Sequence, residues 1–121
     1  AWLDHDLAGA ALHASFVAEF SGGSRGDGLT FAVINERDLG AIGEGGGSLG
    51  FLGLDGYAFG LDTYPSFDHG ELWAGDEIVV PNLNVGPLYG AGPVEVEVWI
   101  VDGWFAVTVG GEPVLRYELP E

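Results

Sequence analysis

The sequence predicts an all-β fold built as a sandwich of two antiparallel sheets. Apolar side chains recur at every second position in several segments, glycine-rich connections separate these segments, and no stretch has a convincing helical period. A period of two places alternate side chains on opposite faces of a strand, so each segment has one apolar face. Strands spaced in this way, without helices, are typical of a two-sheet sandwich.

The clearest strands lie in the C-terminal third. Valine and isoleucine alternate there with Glu95, Glu97 and Trp99, which indicates one solvated face. Asp-Gly at 102–103 and Gly-Gly at 110–111 predict two tight hairpin turns. The predicted strands span residues 13–20, 28–33, 57–63, 94–100, 104–109 and 113–119. The segments predicted as loops are 21–26, 35–50 and 65–75.

Composition limits both the organisation and the partners of the chain. Its 121 residues, 47% of them apolar, suit one domain spanning residues 1–121, either complete or a module of a larger protein. The formal charge of −16 disfavours nucleic acid and anionic membranes, and no apolar run is long enough to insert into a membrane. Cations and neutral glycans remain compatible, although the charge can also serve solubility alone. The absence of cysteine excludes disulfides and thiolate ligands.

Several segments, in the same order, resemble motifs of the legume-type (L-type) lectins. Residues 26–33 are similar to their "ADGLTFVL" strand, residues 45–51 to their "GGGLGY" loop, and residues 58–64 to their "VAVEFDTY" strand. Residues 99–119 resemble their late meander, in which a "DG" turn precedes "VYVDGEPVL". The resemblance implies a concanavalin-like jelly roll that binds glycans or polysaccharide and is secreted or displayed at the cell surface.

The resemblance also implies a sugar site. Asp27 would accept hydrogen bonds from sugar hydroxyls, and Gly46 and Gly47 would donate backbone N–H groups to the same sugar. Tyr64 and Ser66, on the following loop, complete the expected carbohydrate-binding residues. The competing interpretation is that Asp27 is only a turn residue and the glycines only a flexible loop.

A calcium site is the metal centre that the resemblance implies. Gly60 stands where the family has a glutamate, so the transition-metal half of the family's two-ion site is expected to be lost. We expect Asp62, Asp68, Glu77 and the carbonyl of Tyr64 to hold a single Ca²⁺, because calcium prefers oxygen ligands. The alternative is that these acids are solvated surface charges.

The histidine and tryptophan residues give weaker indications of a site. His5, His13 and His69 are scattered without a His-x-x-x-His spacing and are expected to be structural or exposed, although His69 and Glu71 lie close behind Asp62. The rings of Tyr64 and Trp73 could stack on a sugar, although packing in a core is the more frequent fate of tryptophan.

No enzymatic activity is expected. Laminarinase-type glycosidases share the sandwich, but the glutamates of their Glu-x-Asp-x-x-Glu signature are replaced here by Gly60 and Pro65. The sequence therefore favours a carbohydrate-binding domain. The alternative is a structural module of an extracellular assembly or adhesin that has lost sugar binding. Self-association through sheet faces or edges is compatible with either.

Overall fold

A computed structural model describes residues 11–23, 26, 28–34, 51, 55–64 and 67–120. No helix occurs in these ranges, so the all-β prediction is confirmed. The strands are β1 (Leu12–Ala18), β2 (Gly28–Ile34), β3 (Gly56–Asp62), β4 (His69–Ala74), β5 (Glu77–Leu83), β6 (Val94–Val101), β7 (Trp104–Val109) and β8 (Glu112–Glu118).

These strands form the predicted pair of antiparallel sheets. The first sheet has the order β2-β3-β4-β5, the second has the order β1-β6-β7-β8, and all neighbouring strands are antiparallel. The sheets belong to two compact units, one made of Ala1–Asp4 with Gly22–Asn84 and the other of His5–Ser21 with Val85–Glu121. The jelly-roll connectivity and the single domain over residues 1–121 stay predictions.

In the second sheet, β6, β7 and β8 form the predicted meander. Asp102 and Gly103 have φ angles of 51° and 80°, as the two-residue turn between β6 and β7 requires at both central positions. Val96 and Val98 are fully buried, whereas Glu95 on the opposite face is exposed. The alternation seen in the sequence therefore marks the two faces of the sheet correctly.

In the first sheet, β3 pairs with β2 on one side and with β4 on the other. Phe31 lies opposite Phe59 and Leu29 opposite Leu61, on the face that the sequence predicted as apolar. Phe59 and Leu61 are 1% and 0% exposed. The opposite face of the same strands carries the polar residues considered below.

The C-terminal half of the first sheet differs from the prediction. Most of the predicted loop 65–75 is strand β4, and β5 was not predicted at all. Residues 69–73 are buried at every position, so β4 lacks the apolar–polar alternation of a half-exposed strand. Pro81 lies in β5, which is the edge strand of this sheet, the position where a strand tolerates proline.

Within the described ranges, no helix is long and apolar enough to cross a bilayer.

Candidate metal centre

Strand register brings three polar side chains to one face of the first sheet. Asp62, the last residue of β3, lies directly opposite His69, the first residue of β4. Glu71 is two residues further along β4 and therefore shares that face. Its own partner on β3 is Gly60, which has no side chain, so the carboxylate of Glu71 has room to lean across the strand.

The ligand atoms of these residues lie close to one another. The Nε2 atom of His69 is 3.6 Å from Oδ2 of Asp62 and 3.8 Å from Oε2 of Glu71. One ligand atom from each residue fits within a mutual distance of 4.8 Å. All three residues are buried, with exposures of 6–8%. We call this trio, Asp62, His69 and Glu71, the polar cluster.

The outer atom of each side chain in the polar cluster has a protein partner. The backbone N–H of Tyr64 donates to Oδ1 of Asp62 at 2.9 Å, and the indole Nε1–H of Trp73 donates to Oε1 of Glu71 at 3.1 Å. The Nδ1–H of His69 donates to the carbonyl oxygen of Phe67 at 3.3 Å. With Nδ1 engaged in that bond, Nε2 is the ring nitrogen that lies next to the two carboxylates. One ligand atom of each residue thus lies within 4.8 Å of the other two, and a second atom of each has a protein partner.

Burial shifts the protonation of Glu71. Loss of solvent raises the pKa of its carboxyl above the ordinary value, and the nearby charge of Asp62 raises it further. The hydrogen bond from Trp73 and the charge of His69 act in the opposite direction but do not cancel the increase. A carboxylate in this position is therefore costly unless a positive charge accompanies it.

An apolar cluster supports the polar one. Phe51, Ala58 and Trp73 pack together on the same face of the sheet, with Ala32 and Ile34 against them. The rings of Phe51 and Trp73 meet edge to face, with centroids 6.5 Å apart. Trp73 therefore anchors its indole in apolar surroundings while its N–H group orients Glu71.

The metal ligands expected from the sequence are only partly brought together. Asp62 lies in the polar cluster, whereas Tyr64 contributes its backbone N–H to that carboxylate. Asp68 immediately precedes His69 but is not a member of the cluster. Glu77 pairs with Ala74 at the far end of β4, five residues from His69, which is about 17 Å along a strand. The structure thus does not bring Glu77 to Asp62.

The expected carbohydrate-binding residues are mostly outside the described part of the chain. Asp27, Gly46, Gly47 and Ser66 lie there, so their roles stay predictions. Trp73 is 7% exposed, which corrects its possible role in sugar stacking and favours the alternative of core packing. The side chain of Tyr64, at 55% exposed, remains accessible to a ligand.

Sequence reasoning missed two members of the polar cluster. His69 was expected to be structural or exposed, and Glu71 was placed in a loop. The family glutamate was sought two residues before Asp62, where Gly60 stands, yet Glu71 lies directly across the sheet from Gly60. Had residues 69–74 been treated as a strand, the His-x-Glu spacing after a strand that ends in Asp62 would have indicated that His69 and Glu71 share a face.

Comparison with known proteins found no matching family model, no similar curated protein and no similar solved structure. The resemblance to L-type lectins therefore stays an expectation from the sequence motifs.

Proposed function

We propose that this chain is a non-enzymatic, carbohydrate-binding module of a secreted or cell-surface protein, and that the polar cluster holds a divalent transition metal. The observation that carries the metal proposal is that each residue of the polar cluster has one atom near the other two residues and another atom bonded to the surrounding protein. Asp62, His69 and Glu71 each place one ligand atom within 4.8 Å of the other two, and a second atom of each makes a protein hydrogen bond. Such outer partners are the usual support of metal ligands.

Charge and distance both favour an ion at that point. When both buried carboxylates are ionised they carry two negative charges, which a dication would offset. The inner distances of 3.6 and 3.8 Å are longer than a hydrogen bond. Two bonds of about 2.1 Å at a tetrahedral angle would separate ligand atoms by about 3.4 Å, so the two distances from His69 need only a small contraction.

The donor set favours zinc or manganese over calcium. An imidazole nitrogen with two carboxylates suits transition metals, whereas calcium takes about six to eight oxygens. Calcium, the ion expected from the sequence, is the alternative occupant. It would need further oxygens, for which the carbonyl of Tyr64 and the carboxylate of Asp68 are the nearest candidates in sequence.

Burial favours a structural role for the ion. The three ligands are at most 8% exposed, so an ion among them would stabilise the β3–β4 end of the first sheet rather than meet a substrate directly. Carbohydrate binding is supported by the ordered lectin-like motifs and by an acidic chain that suits neutral ligands. The structural-module alternative shares the metal and differs only in lacking the sugar.

Metal titration tests the first part of the proposal. Metal-free protein is titrated separately with Zn²⁺, Mn²⁺ and Ca²⁺ while the melting temperature and tryptophan emission are followed. We expect Zn²⁺ or Mn²⁺ to raise the melting temperature, since a ligand at 100 times its Kd adds about 2.7 kcal/mol. Asp62→Asn should weaken binding about a hundredfold, whereas the control Glu77→Gln should not. A response to Ca²⁺ alone would assign the site to calcium, and no response to any of the ions would refute it.

A glycan array tests the second part. The metal-loaded protein should bind at least one neutral glycan, and chelation should reduce that binding. If metal binds but no glycan does, the carbohydrate proposal is wrong and the structural-module alternative takes its place.

A further inference from the structure

Two exposed aromatic residues hold the polar cluster through their backbones. Among the described phenylalanine, tyrosine and tryptophan residues, only Tyr64 and Phe67 are exposed, at 55% and 49%. The N–H of Tyr64 binds Asp62, and the carbonyl of Phe67 binds His69. The backbone of each residue therefore contacts a member of the polar cluster, while about half of the residue's surface is exposed.

The ring of Phe67 is also fixed in place. It stacks on the imidazole of His69, with centroids 4.5 Å apart and an angle of 28° between the planes. His69 is only 8% exposed, and its Nδ1 is hydrogen-bonded to the carbonyl oxygen of Phe67. Phe67 is thus held on a buried ring, although half of its surface is accessible. An immobilised aromatic ring loses little entropy when a ligand covers it.

We propose that Phe67 is a stacking residue for a neutral pyranose, presented to solvent by the metal-bound His69. This inference rests on the carbohydrate-binding function proposed above and adds a residue that the lectin resemblance does not assign. A pyranose offers a flat patch of C–H groups that matches the face of an aromatic ring. Asp68, which follows Phe67 in the chain and is half-buried, offers a carboxylate that can accept hydrogen bonds from hydroxyl groups.

Charge selects a neutral sugar over an acidic one. The chain carries a formal charge of −16, and Asp62, Asp68 and Glu71 all lie within five residues of Phe67 along the chain. One dication offsets only part of this charge, so the carboxylates of uronic and sialic acids and the sulfates of sulfated sugars would be repelled. The occupant we infer is therefore a neutral glycan.

The test uses the metal-loaded chain on an array that carries neutral, sialylated and sulfated glycans. The strongest neutral glycan is then titrated against the wild type, Phe67→Ala, Phe67→Tyr and the control Val17→Ala. Val17 is an exposed apolar residue, at 62%, on β1 in the other unit. We expect Phe67→Ala to weaken glycan binding about tenfold and the other two variants to change it less than about threefold.

Metal affinity is measured in parallel for each variant. Phe67→Ala keeps the backbone carbonyl that binds His69, so its metal affinity should stay within about threefold of the wild type. Glycan binding that is unchanged in Phe67→Ala, with the ion bound, would overturn the role of Phe67 and leave the proposed function standing. Binding of acidic glycans alone, or a change in self-association without a change in glycan affinity, would also overturn it. Absence of all glycan binding would remove the function and this inference together.

Discussion

The two sheets use polar side chains in opposite ways. In the second sheet, Glu97 and His13 meet at 3.0 Å on a face where their side chains are 40% and 52% exposed. In the first sheet, Asp62 and Glu71 are buried in the same surface as an apolar cluster. Water solvates the first pair, whereas the second carries a desolvation cost that a fold of this size would not retain without compensation. Solvation alone accounts for the polar pair in the second sheet, whereas the buried carboxylates of the first sheet are those for which we propose an ion.

The largest effect on stability should come from crowding the first sheet beside Asp62. A Cβ atom at Gly28 would collide with the backbone oxygen of Leu61 and lie 2.9 Å from Cα of Asp62. Because both obstacles are backbone atoms, Gly28→Ala should force β2 away from β3 and destabilise the protein by about 3 kcal/mol.

The matched substitution in the second sheet is Gly110→Ala. Gly110 has a φ of 59° but no atom within 4 Å of an added Cβ, so only backbone strain of about 1 kcal/mol is expected. Urea unfolding of both variants measures the difference. Equal losses, or a larger loss for Gly110→Ala, would show that β2 and β3 are not in the close contact described.

Glu71→Gln should change stability less than Gly28→Ala does, and in opposite directions in the metal-free and the metal-bound protein. Burial raises the pKa of Glu71 in the folded protein, so the folded state binds this proton more tightly than the unfolded state does. Without metal, the free energy of unfolding of the wild type should therefore fall as the pH rises from the pKa of Glu71 in the unfolded state to its pKa in the folded state. Above the folded-state pKa, the full cost of burying the ionised carboxylate remains.

Glutamine cannot ionise, and its amide oxygen can still accept the hydrogen bond from Trp73. Metal-free Glu71→Gln should then be more stable than the wild type at neutral pH, on the order of 1 kcal/mol. In the metal-bound state the order should reverse, because the variant lacks an anionic ligand and should bind the ion at least tenfold more weakly. Thermal melts of both proteins, with and without Zn²⁺, check the reversal. A variant less stable in both states would mean that the carboxylate stabilises the fold without any ion.

The smallest effect is expected from Glu97→Gln, the same substitution in the second sheet. The exposed contact of Glu97 with His13 contributes less than about 0.5 kcal/mol, because water screens it. Its melting temperature should stay near that of the wild type, with or without metal. A shift as large as that of Glu71→Gln would mean that the outer face of the second sheet also carries a specific polar role.

Much of the fold could be predicted because half-exposed strands show their faces in the sequence. In β6 the buried Val96 and Val98 alternate with the more solvated Glu95 and Glu97, and the turns after this strand contain residues that adopt positive φ. Strand β4 could not be found in this way, because His69 and Glu71 are polar residues on a buried face. If polar residues are assumed to be exposed, such a strand is predicted to be a loop.

The site was harder to predict than the fold because it depends on pairing between strands. Asp62 was expected as a ligand from its motif, and the structure places it in the polar cluster. Glu71 joins it only because the register sets it opposite Gly60, and a sequence gives register indirectly, through turns and hydrophobic faces. Glu77 was chosen by its spacing along the chain, and the β4–β5 turn carries it away from Asp62.

The pairing of β1 with β6 has a consequence for biosynthesis. Ala18 pairs with Val94, so about 75 residues must be translated after β1 before its partner begins to emerge. At roughly 5–20 residues per second, β1 waits several seconds with its hydrogen-bonding edges unpaired. Unpaired apolar edges promote aggregation, but His13 and Ser15 interrupt the apolar residues of this strand at alternate positions. The meander of β6, β7 and β8, closed by two short turns, can form within microseconds of its emergence and then recruit β1 as the last strand of its sheet.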